Sequence, residues 1–211
     1  MRRTPLTLRV LSVPGALTVA AGLTLAGCGS STAEQPAPSQ SAASQPASSP
    51  AAAGEDDLLA RHELAGLDTR EVIAKLEASQ DDRENGPMGS VKATEVVLTD
   101  DQGETTLPIP DGQFYLSVAP YENRTHDCFN HNLATCQGEL TGTPVHVKVT
   151  DETGKAVLDE QVTTGDNGFA GVWLPRDIKG TITVEADGKT ASQPIGTGPE
   201  DPTCLTTLKL T

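Results

Sequence analysis

Sulfur and imidazole side chains are concentrated in one short stretch of this 211-residue chain, from Tyr121 to Glu139. Two of the four cysteines and two of the four histidines lie within eleven residues there, at His126, Cys128, His131 and Cys136. Copper and zinc prefer thiolate and imidazole ligands, whereas magnesium and calcium prefer oxygen. The stretch therefore predicts a site for a soft metal ion, to which a distant thiol, Cys204, could add a third sulfur.

The N-terminus has the pattern of a lipoprotein signal. Three arginines precede an apolar run of small residues from Val10 to Gly27, and Cys28 follows in a Leu-Ala-Gly-Cys sequence. We expect residues 1–27 to be a signal peptide that is cleaved before Cys28, and the Cys28 thiol to be acylated. Residues 28–57 are rich in Ser, Ala, Pro and Gln and cannot form a core, so they are expected to be a disordered tether.

Three thiols remain once Cys28 is assigned to the lipid anchor, and internal disulfides cannot pair an odd number. One interpretation is a disulfide between Cys128 and Cys136, which would close a small loop as in many exported domains. One thiol would then be free and reactive, or paired with a second chain. In the other interpretation a metal ion keeps all three thiols reduced. Three thiolates favour Cu(I), and Zn²⁺ with an added histidine is the alternative.

The elements that must position these side chains indicate a mainly β fold with a small α-helical N-terminal part. Asp68 and Glu71 form a capping-box pattern before an apolar face, which predicts a helix over residues 69–78. Beyond Gly86, short β-branched runs alternate with turn signals, which predicts an antiparallel β-sandwich resembling transthyretin or immunoglobulin domains.

This pattern divides the folded part into two regions. We expect a small helical region at 58–90 and a β-sandwich domain at 91–211 that carries the metal site. Residues 122–143 contain no convincing strand and are expected to be a long functional connection, and the last strand is expected at 205–210.

The charge of the chain argues against nucleic acid as a partner. The formal net charge is −14 at pH 7, and removal of the signal peptide with its three arginines would make it −17. Phosphate binding requires a basic surface, so no nucleic-acid partner is expected. The sequence also lacks the Gly-x-Ser-x-Gly, Walker and Gly-x-Gly-x-x-Gly motifs of hydrolases and nucleotide-binding enzymes.

Several short motifs occur in the order and with the cysteines and tryptophan of a known family. They are the segments at 114–121, 126–131, 135–139, 167–177 and 203–207. Together they resemble the CueP family of exported bacterial copper-binding and copper-resistance proteins, over roughly residues 64–211. The resemblance implies that Cys128, Cys136 and Cys204 bind copper, preferably as Cu(I), with zinc as the alternative ion. His126 and His131 are candidates for additional ligands.

The resemblance also implies a function outside the cytoplasm. A copper-binding lipoprotein on the extracytoplasmic face of the cell membrane would sequester copper for resistance, or pass it to an extracytoplasmic cuproenzyme. The alternative is a redox protein, and hence an enzyme, that uses the same thiols to reduce Cu(II) or to exchange disulfides. Thiol counting separates the two, because binding protects three thiols whereas turnover produces a disulfide.

Replacing Cys28 with alanine tests the lipid anchor. We expect the wild-type protein in the membrane fraction and the Cys28→Ala variant in the soluble fraction, because the variant has no thiol to acylate. Cell fractionation with immunodetection measures the distribution, and Cys136→Ala is the control that removes a cysteine from the folded part. If Cys28→Ala remains as membrane-associated as the wild type, the anchor prediction is wrong.

Overall fold

The computed structural model describes residues 57–79 and 86–211. The predicted signal peptide, Cys28 and nearly all of the predicted tether lie outside these residues. A helical turn over 57–61 precedes the main helix, α1, which spans Thr69–Ala78. The strands are β1 (Met88–Val91), β2 (Glu95–Thr99), β3 (Glu104–Pro108), β4 (Gln113–Val118), β5 (His131–Asn132), β6 (Pro144–Asp151), β7 (Ala156–Thr163), β8 (Ala170–Pro175), β9 (Lys179–Ala186), β10 (Lys189–Gly196) and β11 (Cys204–Leu205).

The strands form three sheets with the orders β3-β2-β1-β5, β10-β9-β6-β7 and β11-β4-β8. Neighbouring strands are antiparallel, apart from β11, which pairs in parallel with β4. The prediction of a mainly antiparallel β fold with a small helical part is confirmed, and the architecture is consistent with a β-sandwich.

Helix α1 begins where the sequence predicts. The Asp68 carboxylate accepts a hydrogen bond from the backbone N–H of Glu71 at 2.9 Å, and the Glu71 carboxylate accepts one from the backbone N–H of Asp68 at 2.9 Å. This reciprocal capping box satisfies N–H groups that a helix start leaves unpaired. The helix buries Val72 and Ile73, which pack in one cluster with residues of the β3-β2-β1-β5 sheet.

Strand β4 is buried on both faces and connects the two main parts of the core. Phe114, Leu116 and Val118 point into the cluster formed with the β10-β9-β6-β7 sheet. Tyr115, on the opposite face, belongs to the cluster that contains α1. Because successive side chains of a strand alternate between faces, Ser117 lies on the Tyr115 side. The functional candidates described below lie on this second face.

Two short strands differ from the sequence prediction. The connection over 122–143, predicted to lack strands, contains β5, which extends the first sheet by pairing His131 with Val91. The strand predicted at 205–210 is only the two residues of β11. Strand β5 has no sequence signal, because a two-residue strand is too short to show alternation, and His131 and Asn132 are not β-branched.

Candidate metal centre

The three cysteines of the described residues converge at one point. Cys128 and Cys204 are joined by a disulfide, and the free Cys136 thiol lies 3.5 Å from the Cys128 sulfur. Cys136 and Cys204 are both buried, within an apolar cluster that includes Ala119 and Phe169. The loop disulfide between Cys128 and Cys136, one of the two interpretations of the sequence, is not the one present, although those two sulfurs lie 3.5 Å apart.

Cys204 reaches the site through the parallel pairing of β11 with β4. This register sets Cys204 beside Ser117, on the face of β4 that points toward α1. The carbonyl oxygen of Phe129 accepts hydrogen bonds from the backbone N–H groups of Thr203, at 3.0 Å, and Cys204, at 3.1 Å. The C-terminal segment is therefore tied to the residue that follows Cys128.

Cys136 is positioned by a tight turn that begins at Asn132. The Asn132 side-chain oxygen accepts hydrogen bonds from the backbone N–H groups of Ala134 and Thr135, both at 3.0 Å. This is the turn chemistry for which asparagine is favoured. The backbone N–H of Cys136 bonds to the carbonyl of Asn132 at 3.1 Å, and the N–H of Asn132 points at the Cys136 sulfur at 3.4 Å.

His131 lies fully buried between the sulfurs and helix α1. Its Nδ1 is 3.7 Å from the Cys204 sulfur, and its Nε2 is 2.9 Å from Oε1 of Glu77 in an ion pair. Its ring also packs on Phe169, with ring centres 4.6 Å apart. Thr203 holds the backbone, because its hydroxyl accepts from the His131 N–H at 3.1 Å and donates to the Val91 carbonyl at 2.6 Å.

Glu77, near the end of α1, was missed by the sequence analysis. Oε1 of its carboxylate accepts a hydrogen bond from the Tyr115 hydroxyl at 2.8 Å, and Oε2 accepts one from the Asn167 amide. Burial by itself raises the pKa of Glu77, but the His131 imidazole and these hydrogen bonds outweigh it and lower the pKa. A charged carboxylate therefore connects the helix to the site and to the sheet.

The thiol and the imidazole at the centre favour an ion pair. Burial lowers the pKa of His131, but Cys136 and Glu77 outweigh it and raise the pKa to about 9. Burial raises the pKa of Cys136, yet the hydrogen bond with His131 and the N–H of Asn132 lower it. Opposite charges stabilise each other in this way at short range. Compared with the isolated side chains, Cys136 is therefore shifted toward the thiolate and His131 toward the imidazolium.

Potential ligand atoms form two overlapping groups. In one group, atoms of His126, Cys128 and Cys136 lie within 4.8 Å of one another, and in the other the same holds for His131, Cys136 and Cys204. The Nε2 atom of His126 is buried and has no hydrogen-bond partner among the described residues. All five residues predicted to bind metal from the sequence thus lie at one locus, with Cys136 common to both groups.

Glu139 fixes the start of the connection that carries these residues. Its carboxylate accepts hydrogen bonds from the backbone N–H groups of Glu122 at 2.7 Å, Asn123 at 2.9 Å and Arg124 at 3.4 Å. The N–H donors of Asn123 and Glu122 hold the pKa of Glu139 at about 2. The residue directly before it, Gly138, lies so close to the backbone of Gly168 that a Cβ at Gly138 would be 2.4 Å from the Gly168 carbonyl oxygen.

Comparison with known proteins identifies the family. The model of the CueP family, described as periplasmic copper-binding protein CueP, matches residues 71–209. The chain belongs to the CueP family. The crystal structure of S.CueP has 43% sequence identity with this chain and a TM-score of 0.70, and the match covers 74% of this chain and 98% of that one. The chain has no match among curated proteins.

The region that matches the family model includes the residues of the candidate metal centre. It begins at residue 71, so it includes Glu77 on α1 as well as the three site cysteines. CueP proteins are periplasmic copper-binding proteins, and this agrees with the soft-ligand chemistry of the site. Within residues 57–79 and 86–211, no helix is long and apolar enough to span a membrane.

Truncating Glu77 is expected to destabilise the fold strongly. Glu77→Ala leaves the His131 imidazolium, the Tyr115 hydroxyl and the Asn167 amide without their acceptor, and breaking a buried ion pair typically costs about 3–5 kcal/mol. Glu77→Gln keeps an acceptor for Tyr115 but turns an amide N–H₂ toward Asn167, so an intermediate loss of about 1–2 kcal/mol is expected. Urea unfolding measures both.

The exposed Glu160 on β7 offers the matched control for this comparison. Glu160→Ala should change the unfolding free energy by less than about 0.5 kcal/mol, as surface substitutions usually do. A Glu77→Ala variant as stable as Glu160→Ala would contradict the role assigned to Glu77.

Glu139 makes the stability of the protein depend on pH, and the sign of this dependence follows from its lowered pKa. Its pKa is depressed in the folded protein, so its contribution to stability is complete above the unfolded-state pKa of about 4.3 and is lost as the pH falls toward 2. We expect Glu139→Gln to lower the melting temperature at pH 7, and the difference from the wild type to shrink as the pH falls from 4 to 2. Thermal melts over this range, with Glu160→Gln as the control, measure the effect. A pH-independent difference would contradict it.

Proposed function

We propose that this CueP-family chain is an extracytoplasmic lipoprotein that binds Cu(I) through Cys128, Cys136 and Cys204. The observation that carries the proposal is the convergence of all three sulfurs from two distant segments on one buried point. Bound copper would be sequestered for resistance, or passed to an extracytoplasmic cuproenzyme. The N-terminal lipobox pattern at Cys28 supports anchoring to the outer face of the membrane.

The donor set fits a soft monovalent ion. An ion about 2.3 Å from each of three sulfurs requires the sulfurs to be roughly 4 Å apart. The Cys128 and Cys136 sulfurs are 3.5 Å apart, and those of Cys136 and Cys204 are within 4.8 Å. Reduction of the Cys128–Cys204 disulfide would free the remaining two donors, whose sulfurs would then have to separate from bonding distance to roughly 4 Å. Zinc could use the same thiolates, but it would need an added ligand such as His131 to complete four-coordination.

The arrangement of the sulfurs supports metal binding over thiol exchange within the site. Attack of the Cys136 thiolate on Cys128 needs the three sulfurs in a row, which would place Cys136 and Cys204 roughly 5.5 Å apart with a disulfide bond of about 2.05 Å. Their sulfurs lie within 4.8 Å instead. Three sulfurs at the corners of a triangle can share one ion, but they are poorly aligned for exchange.

A redox function is the second candidate, and the disulfide is the observation that favours it. Oxidation of the Cys128 and Cys204 thiols releases two electrons and two protons, and two Cu(II) ions would take up the electrons to become two Cu(I) ions. The disulfide product of that reaction is the bond present in the structure. Repeated turnover would require an external thiol reductant to reopen the bond.

Replacing each site cysteine with serine tests the three-thiolate model. We expect Cys128→Ser, Cys136→Ser and Cys204→Ser each to weaken Cu(I) binding by more than about 100-fold, because loss of a direct ligand should exceed the roughly 10- to 100-fold cost of losing an outer-shell partner. Anaerobic competition with a chromogenic Cu(I) chelator, on reduced protein, measures the affinity. Cys28→Ser is the matched control and should bind copper like the wild type.

The outcome at Cys204 is the most informative. If Cys204→Ser binds Cu(I) as tightly as the wild type, the three-thiolate model is wrong, and a site of Cys128, Cys136 and a histidine takes its place. Incubating reduced wild-type protein with Cu(II) and counting the thiols tests the redox candidate. Two thiols lost for every two Cu(I) ions formed would support it, whereas three thiols retained with copper still as Cu(II) would exclude it.

A further inference from the structure

The two overlapping groups of ligand atoms differ in their access to solvent. His126 and Cys128, in the first group, are more exposed than the buried Cys136 that they share with the second group. In the second group, His131 is fully buried, and Cys204 is 2% exposed. An ion that reaches the buried sulfurs from solvent therefore meets His126 and Cys128 first.

The His126 ring is held beside the site by packing, without a hydrogen bond from its Nε2 atom to any residue that the structure describes. Its Nε2 atom is buried without a hydrogen-bond partner among the described residues. Ordering this ring therefore gives the folded protein no hydrogen bond from that atom. The preceding Thr125 is fixed, because its hydroxyl donates to the Thr206 carbonyl at 2.5 Å. The His126 ring also stands edge-on to Phe169, with ring centres 6.2 Å apart. A restrained imidazole with a ring nitrogen within 4.8 Å of two sulfurs has the properties of a metal ligand.

We infer that His126, Cys128 and Cys136 form a capture position in which copper first binds, and that the ion then moves inward by exchanging His126 for Cys204. This inference rests on the proposed function and describes how the three-thiolate site is loaded. Cys128 and Cys136 stay bound throughout, so the ion never passes through the protein without ligands. The exchange involves no redox change, since one Cu–N bond breaks, one Cu–S bond forms, and the proton of the Cys204 thiol leaves to solvent.

The direction of the exchange follows from ligand softness. Cu(I) prefers thiolate to imidazole, so the position with three sulfurs is more stable than the position with two sulfurs and one nitrogen. His126 therefore lowers the barrier to entry and contributes little to the final affinity. Because a ligand used only on the path affects entry and exit equally, its loss should slow both processes by the same factor.

Stopped-flow kinetics on the reduced full chain test this directly. Uptake is followed by mixing the apo-protein anaerobically with a coloured Cu(I)–chelator complex, and release by mixing the loaded protein with excess chelator. For His126→Ala we expect uptake and release both to be slowed roughly 10-fold, within the range by which association rates vary among variants of one site, with an unchanged dissociation constant. His126→Gln should behave in the same way, and it keeps more of the side-chain volume in case the alanine variant perturbs the loop.

His146→Ala is the matched control, because His146 lies on β6 and pairs with Asp159 rather than with a sulfur. It should leave both rates and the affinity unchanged. If both His126 variants behave like His146→Ala, or if they weaken the affinity through faster release alone, the capture position is wrong. If the reduced wild-type protein takes up no Cu(I), the proposed function itself fails, which is a distinct result.

Discussion

The parallel pairing of β11 with β4 is the constraint on which the candidate metal centre depends. Cys204 is separated from Cys128 by 76 residues, and this short pairing fixes its position opposite Ser117. A shift of one residue in the register would turn Cys204 toward the sandwich core and Leu205 toward the site. The register is secured from outside the strand, because the Phe129 carbonyl binds two consecutive N–H groups of the C-terminal segment and Thr203 bonds to both His131 and Val91.

The buried charges explain the role of helix α1 next to the candidate metal centre. Glu77 and His131 have opposite charges as carboxylate and imidazolium, and His131 in turn lowers the pKa of the Cys136 thiol. A Cu(I) ion with three thiolates carries a net charge of −2, and a buried negative charge is costly unless it is compensated. An imidazolium that Glu77 holds beside the sulfurs offsets part of that charge. This favours His131 as a neighbouring cation more than as a fourth ligand while three thiolates are present.

The sequence was sufficient for the local features and insufficient for those that depend on distant contacts. The capping box of α1 and the mainly β fold could be predicted, because turn residues, caps and alternation are local signals. The meeting of Cys204 with Cys128 could not be derived from spacing. The odd number of thiols left a shared metal site as one of several interpretations, and the family resemblance favoured it. Glu77 was missed because a glutamate on a helix ordinarily faces solvent. Its position four residues after the buried Ile73 was the available signal, since residues at i and i+4 share a helix face.

In the proposed three-thiolate site the disulfide and the copper ion would compete for the same sulfurs, so the redox state of the protein and its copper affinity would be linked. The Cys128–Cys204 bond removes two of three proposed ligands and leaves Cys136 with the two imidazoles within reach. Any species that stabilises the reduced form must make the disulfide harder to form, and by linkage Cu(I) does so in proportion to its affinity for the three thiolates. An oxidising compartment would therefore keep the copper-free protein in its disulfide form, while bound copper would keep the thiols reduced. On this argument the Cys136 thiol, which takes no part in the disulfide, is the ligand that remains available in both states.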